Sequence, residues 1–342
     1  MRCLTLADQL AAEGADIRFV CRDSRGAMFD VITARGFLCD QLDESVDCPE
    51  ADAVATESII RERYPAGIDW LIVDHYELDE TWERQLRPYV ARIMVIDDLA
   101  NRRHDCDLLL DQNYYKNLTS RYDGLVADST VLLLGPEFAL LRPEFFHARC
   151  ALRERDGIVR RILVFFGGSD LHNQTQCALE AIEQLRRPDI HVDVVVGSSN
   201  PHQGVIRDYC ALRPWAFYHR QVSNMANLIA AADLSIGAGG ATTWERCILG
   251  LPCLTVVLAD NQLVASEDVA STGATICLGW AIDKSVARYA NAIRSLINDR
   301  NKLLEMSMAS RMLVNVRDGA VVSEMHRMMS LDAGNVISGN NY

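Results

Sequence analysis

Short apolar runs alternate with amphipathic stretches along most of the chain. A helical pattern over Met1–Glu13 carries an apolar stripe, formed by Leu4, Leu6, Ala7, Leu10 and Ala11. The runs typical of buried strands are residues 17–21, 70–73, 92–96 and 108–110, and later 162–166, 192–196, 234–236, 253–258 and 275–278. Helical patterns lie between the later strands, and a helical tail is predicted from about Lys284 to Met329. This alternation of strand and helix predicts an α/β fold with parallel sheets.

The pattern starts afresh in the second half of the chain, which predicts two domains. A highly charged stretch over residues 146–161 is interpreted as the connection between them. We place the first domain at residues 1–148 and the second at residues 149–332. Residues 333–342 are polar and are predicted to form a frayed tail.

Composition and charge narrow the class of protein. Of the 342 residues, 49% are hydrophobic and 24% are charged, as in an ordinary globular protein. The net charge of -13 argues against a nucleic-acid partner, because nucleic acids bind to basic surfaces. No apolar run approaches the roughly 18 residues of a membrane span, so no membrane partner is expected. An anionic ligand would have to be held by local backbone dipoles and a few cations.

The cysteine pattern gives no sign of a metal site. Eleven cysteines are spread along the sequence, without a Cys-x-x-Cys pair or a Cys/His cluster at zinc spacing. We therefore predict no metal and no cofactor. An odd number of cysteines fits a reducing compartment. The resulting expectation is a cytoplasmic, monomeric enzyme that acts on a small molecule.

The most informative motif is Gly-Ala-Gly-Gly-Ala-Thr-Thr-Trp-Glu at residues 237–245, which follows the apolar strand 234–236 and opens a predicted helix over 242–249. Glycines allow a backbone to approach a ligand, and the first amides of a helix favour phosphate. The residues predicted to hold a phosphate group are Gly239, Gly240, Thr242 and Thr243. Glu245, one turn into the helix, is placed to accept hydrogen bonds from the hydroxyls of a ribose.

A second polar cluster ends the next strand. Asp260, Asn261 and Gln262 follow the apolar run 253–258. An open parallel sheet keeps its binding crevice at the carboxyl ends of its strands. Together with the glycine motif, this cluster predicts a pocket for a nucleotide sugar.

Two further segments of the second domain are candidates for substrate binding. Gly168, Ser169 and Asp170 follow the strand that opens the domain, although many strand-to-helix turns have similar sequences. Met225 begins another predicted helix and is a candidate for a contact with a base. Core packing is the commoner role of such a methionine.

In the first domain, Asp74, His75 and Tyr76 end the strand 70–73 and are candidates for a site. An alternative interpretation stays open, in which Asp74 caps the next helix and His75 is an ordinary interior histidine. Asp97 and Asp98 end the strand 92–96 in a similar way. Loop charge and helix capping are the more typical explanation for that pair.

Segments spread over the chain carry a resemblance to a known family. They are residues 1–8, 73–76, 95–99, 106–112, 134–143, 166–170, 237–250 and 258–262. Together they resemble the UDP-2,4-diacetamido-2,4,6-trideoxy-beta-L-altropyranose hydrolases of pseudaminic acid biosynthesis. The similarity extends from Met1 to about Met329.

This resemblance implies a glycosyltransferase-B-like fold, in which two Rossmann-like domains face each other across a cleft. It also implies metal-independent hydrolysis, in which water attacks the anomeric carbon with inversion and UDP leaves. By matched position, Tyr76 and Asn261 are expected to act near the sugar and the attacking water. The residues expected to bind the UDP-sugar substrate are Gly168, Ser169, Asp170, Met225, Gly239, Gly240, Thr242, Thr243, Glu245 and Gln262. Ala241 stands where the family often has serine.

One part of the family pattern is not found in this sequence. The family has a Gly-x-Gly-His loop directly before the Met-Arg-Cys-Leu run, and its histidine is expected to activate the water. We therefore expect the first strand and this loop to be missing because the start site was assigned too late. We also expect the chain as written to show weak or no hydrolysis. His75 is expected to point away from the face of Tyr76 and so not to replace that histidine.

Other functions stay open on the sequence alone. A glycosyltransferase of the same architecture would pass the sugar to an acceptor. A nucleotide-sugar 2-epimerase would use carboxylates and histidines in a similar cleft. A protein that binds the nucleotide sugar without turnover is the third alternative.

Overall fold

The computed structural model describes residues 1–22, 28–43, 46–281 and 285–338. It divides the chain into two compact units. The first unit contains residues 1–113 and 117–140 and the C-terminal segment from Arg317, and the second contains residues 114–116 and 141–316.

Helices and strands alternate along both units. The helices are α1 (Arg2–Ala12), α2 (Phe29–Ala34), α3 (Pro49–Arg63), α4 (Glu80–Leu86), α5 (Pro143–Cys150), α6 (Gln174–Glu183), α7 (Gln203–Ala211), α8 (Met225–Ala231), α9 (Thr242–Ile248), α10 (Asp260–Ser271), α11 (Val286–Ile297), α12 (Arg300–Leu313) and α13 (Ala320–Ser338). The strands are β1 (Arg18–Arg22), β2 (Leu38–Leu42), β3 (Ile68–Val73), β4 (Val90–Ile96), β5 (Leu108–Asp111), β6 (Val131–Leu134), β7 (Arg161–Phe165), β8 (His191–Val196), β9 (Ala216–Arg220), β10 (Leu234–Ala238), β11 (Cys253–Val257) and β12 (Thr275–Trp280).

All strand pairs of the described residues are parallel, as the sequence predicted. In the first unit, β1 pairs with β2, and a separate sheet has the order β3-β4-β5-β6. In the second unit, one sheet has the order β12-β11-β10-β7-β8-β9. The α/β fold class is therefore confirmed.

Each predicted strand is present, with its ends shifted by a few residues, but β2, β6 and β9 were not predicted. All three lie at the edge of a sheet. An edge strand buries less of its surface, so polar residues are tolerated there and the apolar signal weakens. The sequences Leu-Cys-Asp-Gln-Leu in β2 and Ala-Phe-Tyr-His-Arg in β9 show this effect. The edge position does not explain β6, whose sequence Val-Leu-Leu-Leu is apolar throughout.

The C-terminal part differs from the prediction of one helical tail. Three helices, α11 to α13, occupy it, and α13 continues to Ser338. Lys284, where the tail was predicted to begin, and residues 339–342 lie outside the described residues. The side chains of Val321, Val322, Met325 and Met328 in α13 pack into the core of the first unit, with Leu6 of α1.

The boundary between the units also differs from the predicted position at residue 148. The chain enters the second unit after Leu140, because α5 packs on α8 and α9 of that unit. Phe145 of α5 is fully buried there. The charged stretch after α5 thus lies within the second unit.

Candidate functional site

The order of the strands places two glycine loops side by side in the second unit. The chain leaves β7 in one direction through β8 and β9 and then returns to the other side of β7 at β10. Gly237 of β10 pairs with Phe165 of β7, so the loops that follow these two strands begin next to each other. Open α/β sheets bind ligands at such a switch in strand order, outside the carboxyl ends of the strands.

The loop after β10 offers three backbone donors. The Gly239 amide is already used, because it donates to the carbonyl of Val256 at 3.1 Å, and the Thr243 amide donates to Gly240 at 2.9 Å. Within the part of the chain that the structure describes, the amides without an acceptor in this loop are those of Gly240, Ala241 and Thr242. The sequence prediction is therefore corrected for two amides: those of Gly239 and Thr243 donate within the protein, whereas that of Ala241, which was not predicted, has no acceptor among the described residues.

Gly239 is needed at its position for a different reason. A Cβ atom there would lie 2.0 Å from the Ser266 hydroxyl of α10, so a larger residue would require this hydroxyl to move. Gln262 of α10 reaches the same loop, because its Nε2 lies 3.7 Å from the place of a Cβ on Gly240. The Gln262 side chain also accepts a hydrogen bond from the Leu258 amide at 3.1 Å. The structure thus joins the two motifs that the sequence singled out in this unit.

Glu245 is half-buried at the side of this loop. Its Oε1 lies 3.4 Å from a nitrogen of Arg142. Burial raises the pKa of Glu245, and the charge of Arg142 offsets part of that rise. The contact of Glu245 with a ribose stays a prediction.

The loop after β7 has an exposed and a buried part. Gly168 and Ser169 are exposed. Asp170 is buried, and its carboxylate accepts hydrogen bonds from the amides of Gln174 and Thr175 at 2.8 and 2.9 Å and from the Thr175 hydroxyl at 2.6 Å. These bonds hold the start of α6, so Asp170 has a structural role that the sequence prediction did not include.

Two other predicted site residues of the second unit have different surroundings. Met225 is buried at the start of α8, as the core-packing interpretation predicts. Asn261 is half-buried in the first turn of α10, a helix whose start has no side-chain cap. The roles predicted for both residues toward a substrate stay predictions.

In the first unit, an arginine at the start of α1 binds the carboxylates that follow two neighbouring strands. Arg2 donates to Asp74 through Nη2 at 2.6 Å and through Nε at 3.1 and 3.2 Å. Its Nη1 donates to Asp98 at 3.1 Å. Burial alone would raise the pKa of Asp74, but the hydrogen bonds and the charge of Arg2 outweigh it and lower that pKa. Asp74 therefore does not cap the next helix, whose cap is Asp79.

Tyr76 belongs to the same cluster. Its hydroxyl donates to Asp98 at 3.4 Å, while 47% of the residue is exposed. Burial of the hydroxyl, together with the nearby Asp98, raises the pKa of Tyr76 to about 12. The phenol is therefore a hydrogen-bond donor at neutral pH and not a base.

The remaining polar residues of these strand ends support loops. His75 Nδ1 accepts the amide hydrogen bond of Glu77 at 3.2 Å. Asp97 is buried and accepts hydrogen bonds from Ala100 and Arg102 at 2.8 and 2.9 Å. The interpretation of Asp97 as a loop and capping residue is therefore consistent with its contacts. Asp98, by contrast, lies with Tyr76 and Arg2, which the sequence did not predict.

The described residues contain no group of three or more histidine, cysteine, aspartate or glutamate side chains that could hold a metal ion. None of the helices in these same ranges is long and apolar enough to span a membrane. The two clusters contain backbone amides, carboxylates, a phenol and guanidinium groups.

Comparison with known proteins shows which fold the chain shares. Residues 162–321, most of which lie in the second unit, match the glycosyltransferase family 28 C-terminal domain. The crystal structure of Acinetobacter baumannii MurG has the same fold, with a TM-score of 0.62, 15% identity, and coverage of 96% of this chain and 95% of that one. The glycosyltransferase-B-like fold that the resemblance implied is thus confirmed.

Two proteins of known name are similar to this chain in sequence. The spore coat polysaccharide biosynthesis protein SpsG of Bacillus subtilis is 28% identical over 227 residues, which span 65% of this chain and 66% of SpsG. The UDP-2,4-diacetamido-2,4,6-trideoxy-beta-L-altropyranose hydrolase of Campylobacter jejuni is 23% identical over 77% of this chain and 89% of its own length. The resemblance found in the sequence is therefore confirmed at the level of homology.

Proposed function

We propose that this protein hydrolyses UDP-2,4-diacetamido-2,4,6-trideoxy-beta-L-altropyranose to UDP and the free sugar, as a step of pseudaminic acid biosynthesis. The observation that carries the proposal is the loop after β10, at the switch in strand order, with three amides that have no acceptor in the described structure. Such a loop fits a diphosphate. The homology to the Campylobacter jejuni hydrolase supports the choice of sugar and reaction.

In this proposal the second unit binds the UDP half of the substrate. The amides of Gly240, Ala241 and Thr242 donate to the diphosphate and stabilise the charge that develops as UDP leaves. Glu245 accepts hydrogen bonds from the ribose. Gln262 holds the loop after β10 against the start of α10.

The reaction itself is a displacement at carbon. The oxygen of water forms a bond to the anomeric carbon on the face opposite to the diphosphate. The bond from that carbon to the diphosphate oxygen breaks, and its electron pair leaves with UDP, so the configuration inverts. Tyr76 and Asn261 are proposed to bind the sugar and the attacking water.

The water must also lose a proton, and a general base contributes about 10²–10⁴ in rate. Within the cluster of the first unit, Asp74 is held by Arg2, His75 accepts a backbone amide, and the Tyr76 phenol stays protonated. Arg2 contacts Asp98 through one nitrogen and Asp74 through two. We therefore assign the proton to the carboxylate of Asp98, which also lies beside the Tyr76 hydroxyl.

The family 28 domain favours a second candidate, a transferase that passes the sugar to an acceptor. Incubation of the protein with the UDP-sugar and no acceptor, followed by proton and phosphorus NMR, separates the functions. Because Asp98 is proposed to take the role of the family histidine, we expect UDP and free sugar in equal amounts, with the inverted anomer formed first, and a loss of about 10²-fold or more in Asp98→Asn.

Each other result of that NMR experiment would contradict the proposal. UDP release that requires an added acceptor would indicate a transferase. Exchange of the proton at carbon 2 would indicate an epimerase. Binding of UDP with no turnover under any condition would indicate a binding protein.

A further inference from the structure

Arg246 is a buried cation that forms no ion pair within the described residues. Only 1% of the residue is exposed. Its Nη2 donates to the carbonyl of Ala238 at 2.7 Å and to the hydroxyl of Thr243 at 3.1 Å. Its Nε and Nη1 are also buried and have no hydrogen-bond partner among the described residues.

This arrangement is costly for the fold. An arginine cannot lose its proton in a protein, and a charge taken out of water has a high desolvation cost unless a counter-charge and hydrogen bonds compensate it. Two neutral acceptors on one nitrogen do not supply that compensation. A residue kept in this state points to a partner that binds later.

Arg155 provides an internal comparison. It is also buried, yet its three nitrogens donate to the carbonyls of Ile229, Ala232 and Leu249 at 3.1, 3.2 and 2.6 Å. These carbonyls lie at or just beyond the ends of α8 and α9, so Arg155 satisfies helix ends. Arg246 has no comparable set of acceptors.

The position of Arg246 indicates the missing partner. Its two acceptors, Ala238 and Thr243, flank the loop after β10 on both sides. Its Nη1 lies 2.8 Å from the place that a Cβ on Gly237 would take, so the guanidinium lies directly against the strand that feeds this loop. A negative group on the amides of Gly240 to Thr242 would be close to this charge, with little water between them to screen it.

We propose that Arg246 is a positioning residue whose buried charge is balanced by the diphosphate of the nucleotide. Arg246 fixes the two ends of the loop and sets the affinity for the diphosphate, while the nucleoside part is bound independently of it. The inference rests on the proposed UDP site of this unit. Arg246 does not touch the ligand in this proposal, yet it sets the affinity for the diphosphate part of the nucleotide.

The test compares ligands that differ only in charge. Arg246→Met removes the cation and keeps a long side chain. We expect calorimetry to show UDP binding about 10- to 100-fold weaker, UMP binding weakened less, and uridine binding unchanged within about twofold. The melting temperature without ligand should stay the same or rise, because an uncompensated buried charge is removed.

Two further variants keep the test decisive. Arg246→Lys retains the charge and should bind UDP more tightly than Arg246→Met. Arg155→Met should lower the melting temperature and should not change the ratio of UDP to uridine affinity. Equal losses for UDP and uridine in Arg246→Met, unchanged UDP binding, or equal losses in the Lys and Met variants would each overturn the role of Arg246.

The same measurements distinguish a failure of the proposed UDP site from a failure of the role proposed for Arg246. If the unmodified protein binds no UDP, the UDP site and the role of Arg246 both fail. If it binds UDP and the Arg246 variants bind UDP as well as it does, only the inference on Arg246 fails.

Discussion

Arg2 and Asp74 form a bidentate ion pair that ties the first turn of α1 to the end of β3. The side chains are partly buried, with 17% and 27% of their areas exposed. Arg2 also reaches Asp98, so one guanidinium orients the carboxylates that follow two adjacent strands. This pair explains how a helix can begin with an arginine and no capping side chain, although a cation is unfavourable at a helix start.

Asp74→Asn should lower the free energy of unfolding by about 1–2 kcal/mol at pH 7. The pKa of Asp74 is lowered in the folded protein, so its contribution is present above the ordinary pKa of 3.8 and is lost as the pH falls through the folded value. Urea denaturation at pH 7 and pH 3 measures this, and the gap between variant and parent should narrow at pH 3. Arg61→Gln, which removes an exposed ion pair with Glu57, is the control and should have little effect. A gap that stays constant with pH would contradict the assignment.

Tyr76→Phe should lower kcat by about 10-fold or more and change KM less, because the phenol is proposed to bind the attacking water. The pKa of Tyr76 is raised to about 12, so its phenol stays protonated between pH 8 and pH 10. The rates of the parent and of the variant should therefore change with pH in the same way over that range. A pH–rate profile of both proteins tests this, with Tyr218→Phe in β9 as the matched control. A tyrosine-dependent rise in that range would make Tyr76 a base and contradict the account.

Asp170→Ala should cost about 1–2 kcal/mol of stability, because three hydrogen bonds at the start of α6 are lost. Ser169→Ala, next to it and exposed, should leave stability within about 0.5 kcal/mol of the parent. Thermal melts of the two variants measure the difference. If Asp170→Ala melts like the parent but loses UDP binding, Asp170 acts on the substrate and not on the helix.

The contribution of Asp111 to the free energy of unfolding should decrease as the pH rises from about 4 to about 6. Burial raises the pKa of this carboxyl from 3.8 to about 6, and the charge and hydrogen bonds around it reduce that rise only in part. A raised carboxyl pKa means that the folded state binds the proton more tightly, so a stabilisation of about 3 kcal/mol is present at low pH and is lost as the pH increases through 6. Asp111→Asn should remove this part of the pH dependence, as denaturant titrations from pH 4 to pH 7 would show. An unchanged slope would contradict the assignment.

The second unit shows what the sequence makes predictable. Residues 239–243 and 260–262 each follow a central strand, and a parallel sheet brings the ends of its strands to one edge. The proximity of these two segments could therefore be predicted from local patterns. The use of the Gly239 amide by Val256 could not be predicted in this way, because it depends on the register between β10 and β11.

Residues whose role depends on distant partners were not predicted. Asp98 looks like any loop aspartate until Arg2, distant in sequence, and Tyr76 are placed beside it. Arg246 lies in a helix pattern where an arginine is expected to be exposed, and only the fold shows that it is buried under the loop. In both cases the surroundings of the residue, and so its proposed role, depend on the folded structure and not on the local sequence.

The fate of the water oxygen shows whether water attacks the anomeric carbon of the sugar. The protein is incubated with the UDP-sugar in water enriched in oxygen-18, and both products are analysed by mass spectrometry. Attack at the anomeric carbon predicts one heavy oxygen in the free sugar at the earliest time points and none in UDP. Heavy oxygen in the UDP, or no release of sugar without an acceptor, would contradict the account.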